Sequence, residues 1–234
     1  MKISIHQPSY WPWLGLLDKI AKSDVYVILD NVEISKGSFQ YRNQLLCNGT
    51  CKYITLPIDF NSKTLLKDIT IKDVNWKEKQ LSFIKNYYFN SPHFRFIYPD
   101  IEKLYLTYNS NDACGFIIET MKKSFEMLAI EVTVKRASHY QFHSSRGDLV
   151  FDICTYFKAD AYISGQGAKN YMSNEDFENF LEANIDIEFQ EFSHPIYKQN
   201  IHHDYIEGLS VLDLLFWNGI KNSRKIFWAS LKNG

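Results

Sequence analysis

An α/β fold with a mostly parallel sheet is predicted by three features of the 234-residue sequence. The first thirty residues read as strand, loop, helix and strand. The same alternation returns beyond residue 130, and a hairpin and helices interrupt it in between. Residues 2–6 alternate and are rich in Ile, the pattern of a first strand. Residues 13–22 place Leu14, Leu17, Ile20 and Ala21 at helical spacing. Val25 to Leu29 is then a continuous apolar run, as in a strand buried on both faces. Such a strand–helix–strand unit is a crossover, so its two strands are parallel. Leu45–Cys47 and Tyr53–Leu56 bracket Asn48-Gly49 as a hairpin, followed by a strand at Asp68–Ile71. Helical patterns run through 75–89, 95–106 and 111–129, the third carrying Phe116, Ile117, Met121, Phe125 and Leu128 on one side. A strand (131–136), a helix (146–158) and a strand (160–164) restore the alternation, with Ser145 and Asp148 spaced as a capping box. Ser173 and Asp176 open a helix at 174–183, and Ile187–Phe192 is the last strand. Ser210 and Asp213 start an apolar helix that stops near Gly219. The expected architecture is a Rossmann-like sheet with a hairpin and helical lobe inserted at about residues 40–130. No Pro/Gly/Ser linker divides the chain, so residues 1–234 read as one domain.

Composition narrows the function. Lys and Arg number 26 against 27 Asp and Glu, which argues against a protein held to nucleic acid by phosphate electrostatics. Charges interrupt every apolar stretch, so no membrane span is expected. The N-terminus enters a strand at once and leaves no room for a secretory signal, which predicts a cytoplasmic protein. Cys47 and Cys51 flank the hairpin turn, so a disulfide is geometrically possible but disfavoured in a reducing cytosol. A C-x3-C pair without a second pair is a weak zinc signal, and Cys47, Cys51, Cys114 and Cys154 are expected to be buried or incidental. His202-His203-Asp204 resembles a metal cluster, but adjacent histidines on an extended segment point opposite ways, so no metal is expected.

In a parallel α/β sheet, ligands bind beyond the carboxyl ends of the strands, and that rule selects the loops to read. The first strand exits into His6-Gln7-Pro8-Ser9-Tyr10-Trp11-Pro12-Trp13, costly residues for a mere connection. Trp11 and Trp13 either staple this loop to the core or face a ligand, and His6 either caps the helix or reacts. The second strand exits through Asp30 into a loop with Lys36, Gln40, Arg42 and Asn43, where Lys36 and Arg42 have the chemistry to hold phosphate oxygens. Ser164-Gly165-Gln166-Gly167 is a Gly-rich strand exit without a Walker or dinucleotide fingerprint. His194-Pro195-Ile196-Tyr197 follows the last strand. His6, Gln7, Asp30, Lys36, Arg42 and Asn43 are expected to line one cleft, with Arg136 outside it.

The run IHQPSYWPWLGLLDKIAKSDVYVILDNVEISKGSFQYRNQL, with YISGQGAKNYM, FSHPIY and LSVLDLLFWNG, closely resembles the WbqC-like family. The resemblance spans His6 to Gly219, and the opening HQP-x-x-W-P-W-L-G segment is its most specific part. That family occurs in bacterial gene clusters for O-antigen and related surface polysaccharides. The resemblance therefore implies a cytoplasmic step on a sugar precursor, usually nucleotide-linked. A more distant likeness of the opening strand–loop–helix–strand is to nucleotidylyltransferases and pantothenate synthetase. His6 matches the first polar position of their ATP-binding loop, but their second histidine is absent, since Leu16 follows Gly15.

The leading expectation is a transferase that adds an acyl or aminoacyl group to a nucleotide-linked amino sugar from an unidentified donor. In it, His6 is the general base and Asp30 orients it or the acceptor. Gln7, Gln40 and Asn43 join Lys36 and Arg42 in binding substrate, and Trp11 and Trp13 offer apolar faces. Ser164 and Gly165 meet an oxyanion, and His194 and Tyr197 complete the substrate-binding set. The alternatives are ATP- and Mg²⁺-dependent nucleotidylyl transfer or acyl-adenylate formation, and a non-catalytic sugar-nucleotide binding protein. Neither the sugar, the donor nor the oligomeric state follows from the sequence.

Overall fold

The computed structural model describes residues 1–47, 49–170, 172–200 and 205–231. The chain opens with β1 (Lys2–His6), α1 (Leu14–Ala21) and β2 (Val25–Ile28). Next come β3 (Arg42–Cys47), β4 (Thr50–Thr55), β5 (Ile58–Asp59) and β6 (Thr70–Ile71), then α2 (Trp76–Tyr88), α3 (Phe94–Thr107) and α4 (Ala113–Leu128). The alternation resumes with β7 (Thr133–Arg136), α5 (Arg146–Tyr156), β8 (Ala161–Ser164), α6 (Asn174–Glu182), β9 (Asp186–Phe189) and α7 (Val211–Ser230).

Five strands form one parallel sheet in the order β7-β2-β1-β8-β9. From β1 the chain first builds outward through β2 and β7, then returns to place β8 and β9 on the other side. Consecutive crossovers thus leave β1 and β8 in opposite directions, which opens a crevice at their carboxyl ends. This is the α/β architecture that the sequence predicts, with extra antiparallel pairs β3–β4 and β5–β6.

The two-residue period of the strands divides the core. Ile3, Ile5, Val25 and Val27 pack with Leu149, Val150 and Ile153 of α5 and Phe180 of α6. Tyr26 and Ile28 face the larger core, which contains Leu14, Leu17 and Ile20 of α1 and the apolar stripe of α4. Leu17 is fully buried there, and Leu17→Ala would cost about 2–5 kcal/mol. Helix α4 starts at Asp112, whose side chain accepts from the Gly115 N–H at 2.8 Å, and it ends at Ala129 in the left-handed region.

Several expected elements are corrected. The strand expected at Asp68–Ile71 is a tight turn at Leu66–Asp68 followed by β6, whose partner β5 is too short to carry a readable period. The Ser145–Asp148 capping box does not form, because Arg146 takes a left-handed φ of 55° and the Ser145 side chain makes no capping bond. The Ser173–Asp176 box does form. Gly219 breaks the last helix at φ 72°, but helical structure resumes because Phe227 returns to the core. The hairpin forms with Leu46 opposite Cys51, while Asn48 of its expected turn lies outside the described residues. All four cysteines are free thiols, Cys114 and Cys154 buried and Cys47 and Cys51 half-buried. Among the described residues no helix is long and apolar enough to cross a membrane. His202, His203 and Asp204 lie outside the described residues.

Candidate functional site

At the carboxyl ends of β1 and β8, two clefts meet at one side chain, His6. The cleft on the α5 side, about 350 Å³, is lined by Ile5, His6, Gln7, Arg146, Leu149 and Tyr162 among others. The cleft on the α1 side, about 370 Å³, is lined by His6, Trp13, Lys19, Gly165, Gln166 and Phe192 among others. Register explains the meeting point: His6 is the last residue of β1, and its carbonyl accepts from the Leu29 N–H at 2.9 Å.

The protonation state of His6 follows from its contacts. Its Nδ1 lies 2.8 Å from the Gln7 carbonyl oxygen, which only accepts, so Nδ1 carries the hydrogen and Nε2 keeps its lone pair. The side chain is exposed and open to the clefts. Desolvation first, and the Lys19 charge second, push its pKa below the usual histidine value, against the opposing Gln7 bond. His6 is therefore neutral near pH 7, its pKa pushed down to about 3, a weak base with its Nε2 lone pair free.

Lys19 of α1, not among the residues singled out in the sequence, also lines the α1-side cleft. It is 4% exposed, and its Nζ donates to the Ile5 carbonyl at 3.0 Å. Burial lowers its pKa to about 8. One available signal was its position four residues after Gly15, on the same face of α1. The neighbouring Asp18 is otherwise engaged: Gln190 donates to it at 2.5 Å, and Lys22 lies 3.3 Å from its other oxygen. Burial raises the Asp18 pKa, and Gln190 ties the exit of β9 to α1 through the Gly15 carbonyl at 2.7 Å. Gln166 in turn donates to the Gln190 carbonyl at 2.9 Å.

The expected site residues divide. Gln7 lines the α5-side cleft, and Trp13 and Gly165 line the α1-side cleft, Trp13 meeting Phe192 edge-on at 5.6 Å. Ser164 is buried at the end of β8, its hydroxyl donating to the Gly165 carbonyl at 3.2 Å. Gln40 joins the two loops, donating to Gln7 at 2.6 Å while its own oxygen accepts from the Ser35 N–H and the Ser38 hydroxyl.

The single cleft expected for His6, Gln7, Asp30, Lys36, Arg42 and Asn43 is not formed. Asp30 is buried and accepts from Arg136 Nε at 2.6 Å and from the Ser138 N–H and hydroxyl, each at 2.8 Å. None of these donors belongs to His6. Arg136, expected to stand apart, is the ion-pair partner of Asp30 because β7 lies beside β2. Asn43 is buried, donating to the Trp11 carbonyl at 2.8 Å and accepting from the Gln44 N–H. Arg42 donates to the Gly37 carbonyl and lies 4.2 Å from the Tyr53 ring centroid, while Lys36 is exposed and lines neither cleft. Trp11 is fully buried, its indole donating to the Tyr105 hydroxyl at 2.9 Å, so it staples the loop and faces no cleft.

His194 and Tyr197 also lie elsewhere. They pack with Tyr205, whose hydroxyl is 3.1 Å from His194 Nδ1, and His194 borders a separate surface hollow with Ile226 and Ser230. Behind them Asp213 is buried at the start of α7. One of its oxygens accepts from the Tyr88 hydroxyl at 3.3 Å, and the other has no hydrogen-bond partner among the described residues. Burial pushes the Asp213 pKa up to about 7, only partly offset by the hydroxyls of Tyr197 and Tyr88. Among the described residues no group of three or more His, Cys, Asp or Glu is placed to hold a metal ion.

Comparison with known proteins finds matches over most of the chain. An uncharacterized protein of Mycobacterium tuberculosis (strain ATCC 25618 / H37Rv), Rv1507c, is 22% identical over 218 residues, covering 92% of this chain and 93% of that protein. No solved structure is significantly similar. The model of the WbqC-like protein family matches residues 7–225, from the Gln7 that lines the α5-side cleft to the far part of α7, and the chain belongs to that family.

Proposed function

We propose that this protein is a transferase of bacterial surface-polysaccharide (O-antigen) biosynthesis. In this reading it joins an acyl or aminoacyl group to the amine of a nucleotide-linked amino sugar. The observation that carries the reading is His6: a neutral imidazole with Nδ1 held and Nε2 free, shared by two clefts of substrate size. Two clefts that meet at one base suit a reaction between two substrates, donor on one side and acceptor on the other. The family membership supports the pathway.

The step is nucleophilic acyl transfer. The sugar amine attacks the donor carbonyl carbon, and His6 Nε2 takes the proton that the nitrogen loses. Collapse of the tetrahedral adduct expels the carrier group, to which His6 returns that proton. Gln7, hydrogen-bonded to Gln40, positions the loop, and Trp13 offers an apolar wall to sugar or base.

The decisive experiment is incubation with nucleotide-linked amino sugars and acyl or aminoacyl donors, read by mass spectrometry. The expected result is a sugar nucleotide heavier by one acyl or aminoacyl group, with free carrier released. Pyrophosphate release that depends on ATP and Mg²⁺ would replace this reading with adenylyl or nucleotidylyl transfer. Tight sugar-nucleotide binding without product from any donor would replace it with a binding protein.

A further inference from the structure

We propose that the Lys19 ammonium is the anion anchor of the α1-side cleft and takes a phosphoryl group of the substrate. This deepens the proposed function and rests on its nucleotide-linked substrate. Lys19 lines the cleft while being almost wholly shielded from bulk water. It forms no ion pair among the described residues, since the adjacent Asp18 is held by Lys22 and Gln190. An ammonium has three donors, and one of them reaches the Ile5 carbonyl. A buried cation without a carboxylate is costly to maintain, and an arriving anion removes that cost. The depressed pKa of Lys19 expresses its burial.

The cleft has room for such a group. A Cβ built on Gly165 or on Gly167 meets no atom of the described residues within 4 Å, and both glycines line the same cleft as Lys19. Neither glycine is there to avoid a clash within the protein, and their bare backbone allows close approach of phosphoryl oxygens. The other lysine and arginine expected to hold phosphate do not compete: Lys36 lines neither cleft, and Arg42 is bound to Gly37 and Tyr53. Lys19 is also the charge that depresses His6, so an anion on Lys19 strengthens the base that the transfer uses.

The test is calorimetric titration of the full chain with pyrophosphate and with uridine diphosphate. Wild type is expected to bind both. Lys19→Met, which keeps the length and removes the charge, is expected to bind roughly 10–100-fold more weakly. Gly165→Val, whose Cβ position is clear of the described protein atoms, narrows the cleft and provides a second route to the same loss should Lys19→Met fail to fold. Lys63→Met, an exposed lysine outside the clefts, is expected to bind as wild type does. Absence of binding to wild type, or wild-type affinity in Lys19→Met or in Gly165→Val, would overturn the anchor. The two proposals separate in the mass assay. Lys19-dependent pyrophosphate binding without acyl transfer keeps the anchor and removes the transferase, whereas undiminished product from Lys19→Met does the reverse.

Discussion

The loops that leave β1 and β2 carry similar residues, yet their polar groups are spent differently. Beyond β2, Asp30 is saturated by three donors and Asn43 by loop carbonyls and a backbone N–H, while Arg42 is turned to Gly37 and an aromatic face with its Nε unpaired among the described residues. At the end of β1, His6 keeps a free ring nitrogen and Lys19 keeps unspent donors, and both line open clefts. A buried polar group with every bond made stabilises the fold, while a group with a bond left to make is available to a ligand. The two regions should therefore respond to mutation in opposite ways.

The largest effect is expected at Asp30. Asp30→Ala leaves Arg136 and Ser138 without their acceptor and should cost about 3 kcal/mol in urea unfolding, with little change in turnover of folded protein. Lost turnover at unchanged stability would place Asp30 in the chemistry and break the comparison. His6→Asn is the mirror experiment. Asn keeps a hydrogen-bonding group but is not a base, so turnover should fall by about a hundredfold while the melting temperature holds. Near-normal turnover on an identified substrate would make His6 structural.

Asn43→Ala should lower stability by about 2 kcal/mol, because the Tyr10 and Trp11 carbonyls lose a buried donor. Its KM and kcat, measured well below the melting temperature, should stay near wild type. The last test concerns Asp213, a buried acid with one oxygen unpaired among the described residues. Asp213 has a folded pKa of about 7 against an ordinary 3.8, so the folded chain holds a proton that the unfolded chain has lost. Stability contributed by this group is complete at pH 4, declines as pH rises toward 7, and is lost above it. Asp213→Asn should flatten that decline, near wild type at pH 4 and more stable than wild type at pH 8 in denaturant melts. A wild-type profile unchanged by the substitution would show that another group sets the slope.

Much of the fold was legible because it is written in local patterns. The Ile-rich alternation of residues 2–6, the buried run from Val25 and the stripe from Phe116 to Leu128 each state their own burial. The short β5 and β6 carry too little repeat to read, and Ser145 shows that capping-box spacing does not ensure the required backbone angles. Of the residues that line the two clefts, His6, Gln7, Trp13 and Gly165 were legible because they lie at or near strand exits of a parallel sheet. Lys36, Arg42, Asn43 and Trp11 looked equally suitable by type.

What the sequence determined by itself was the class of fold, the elements that carry the crevice, and the family. Strand and helix periodicity depend on neighbours a few residues apart, so they survive in one dimension. Only the tertiary structure decided which polar groups remained free. Arg136 reaches Asp30 across 106 residues, Gln190 reaches Asp18 across 172, and Lys19 turns inward because its helix packs beneath the end of β1. Whether a side chain's bonds are spent depends on partners that distant stretches of chain supply, and folding alone brings them within 3 Å.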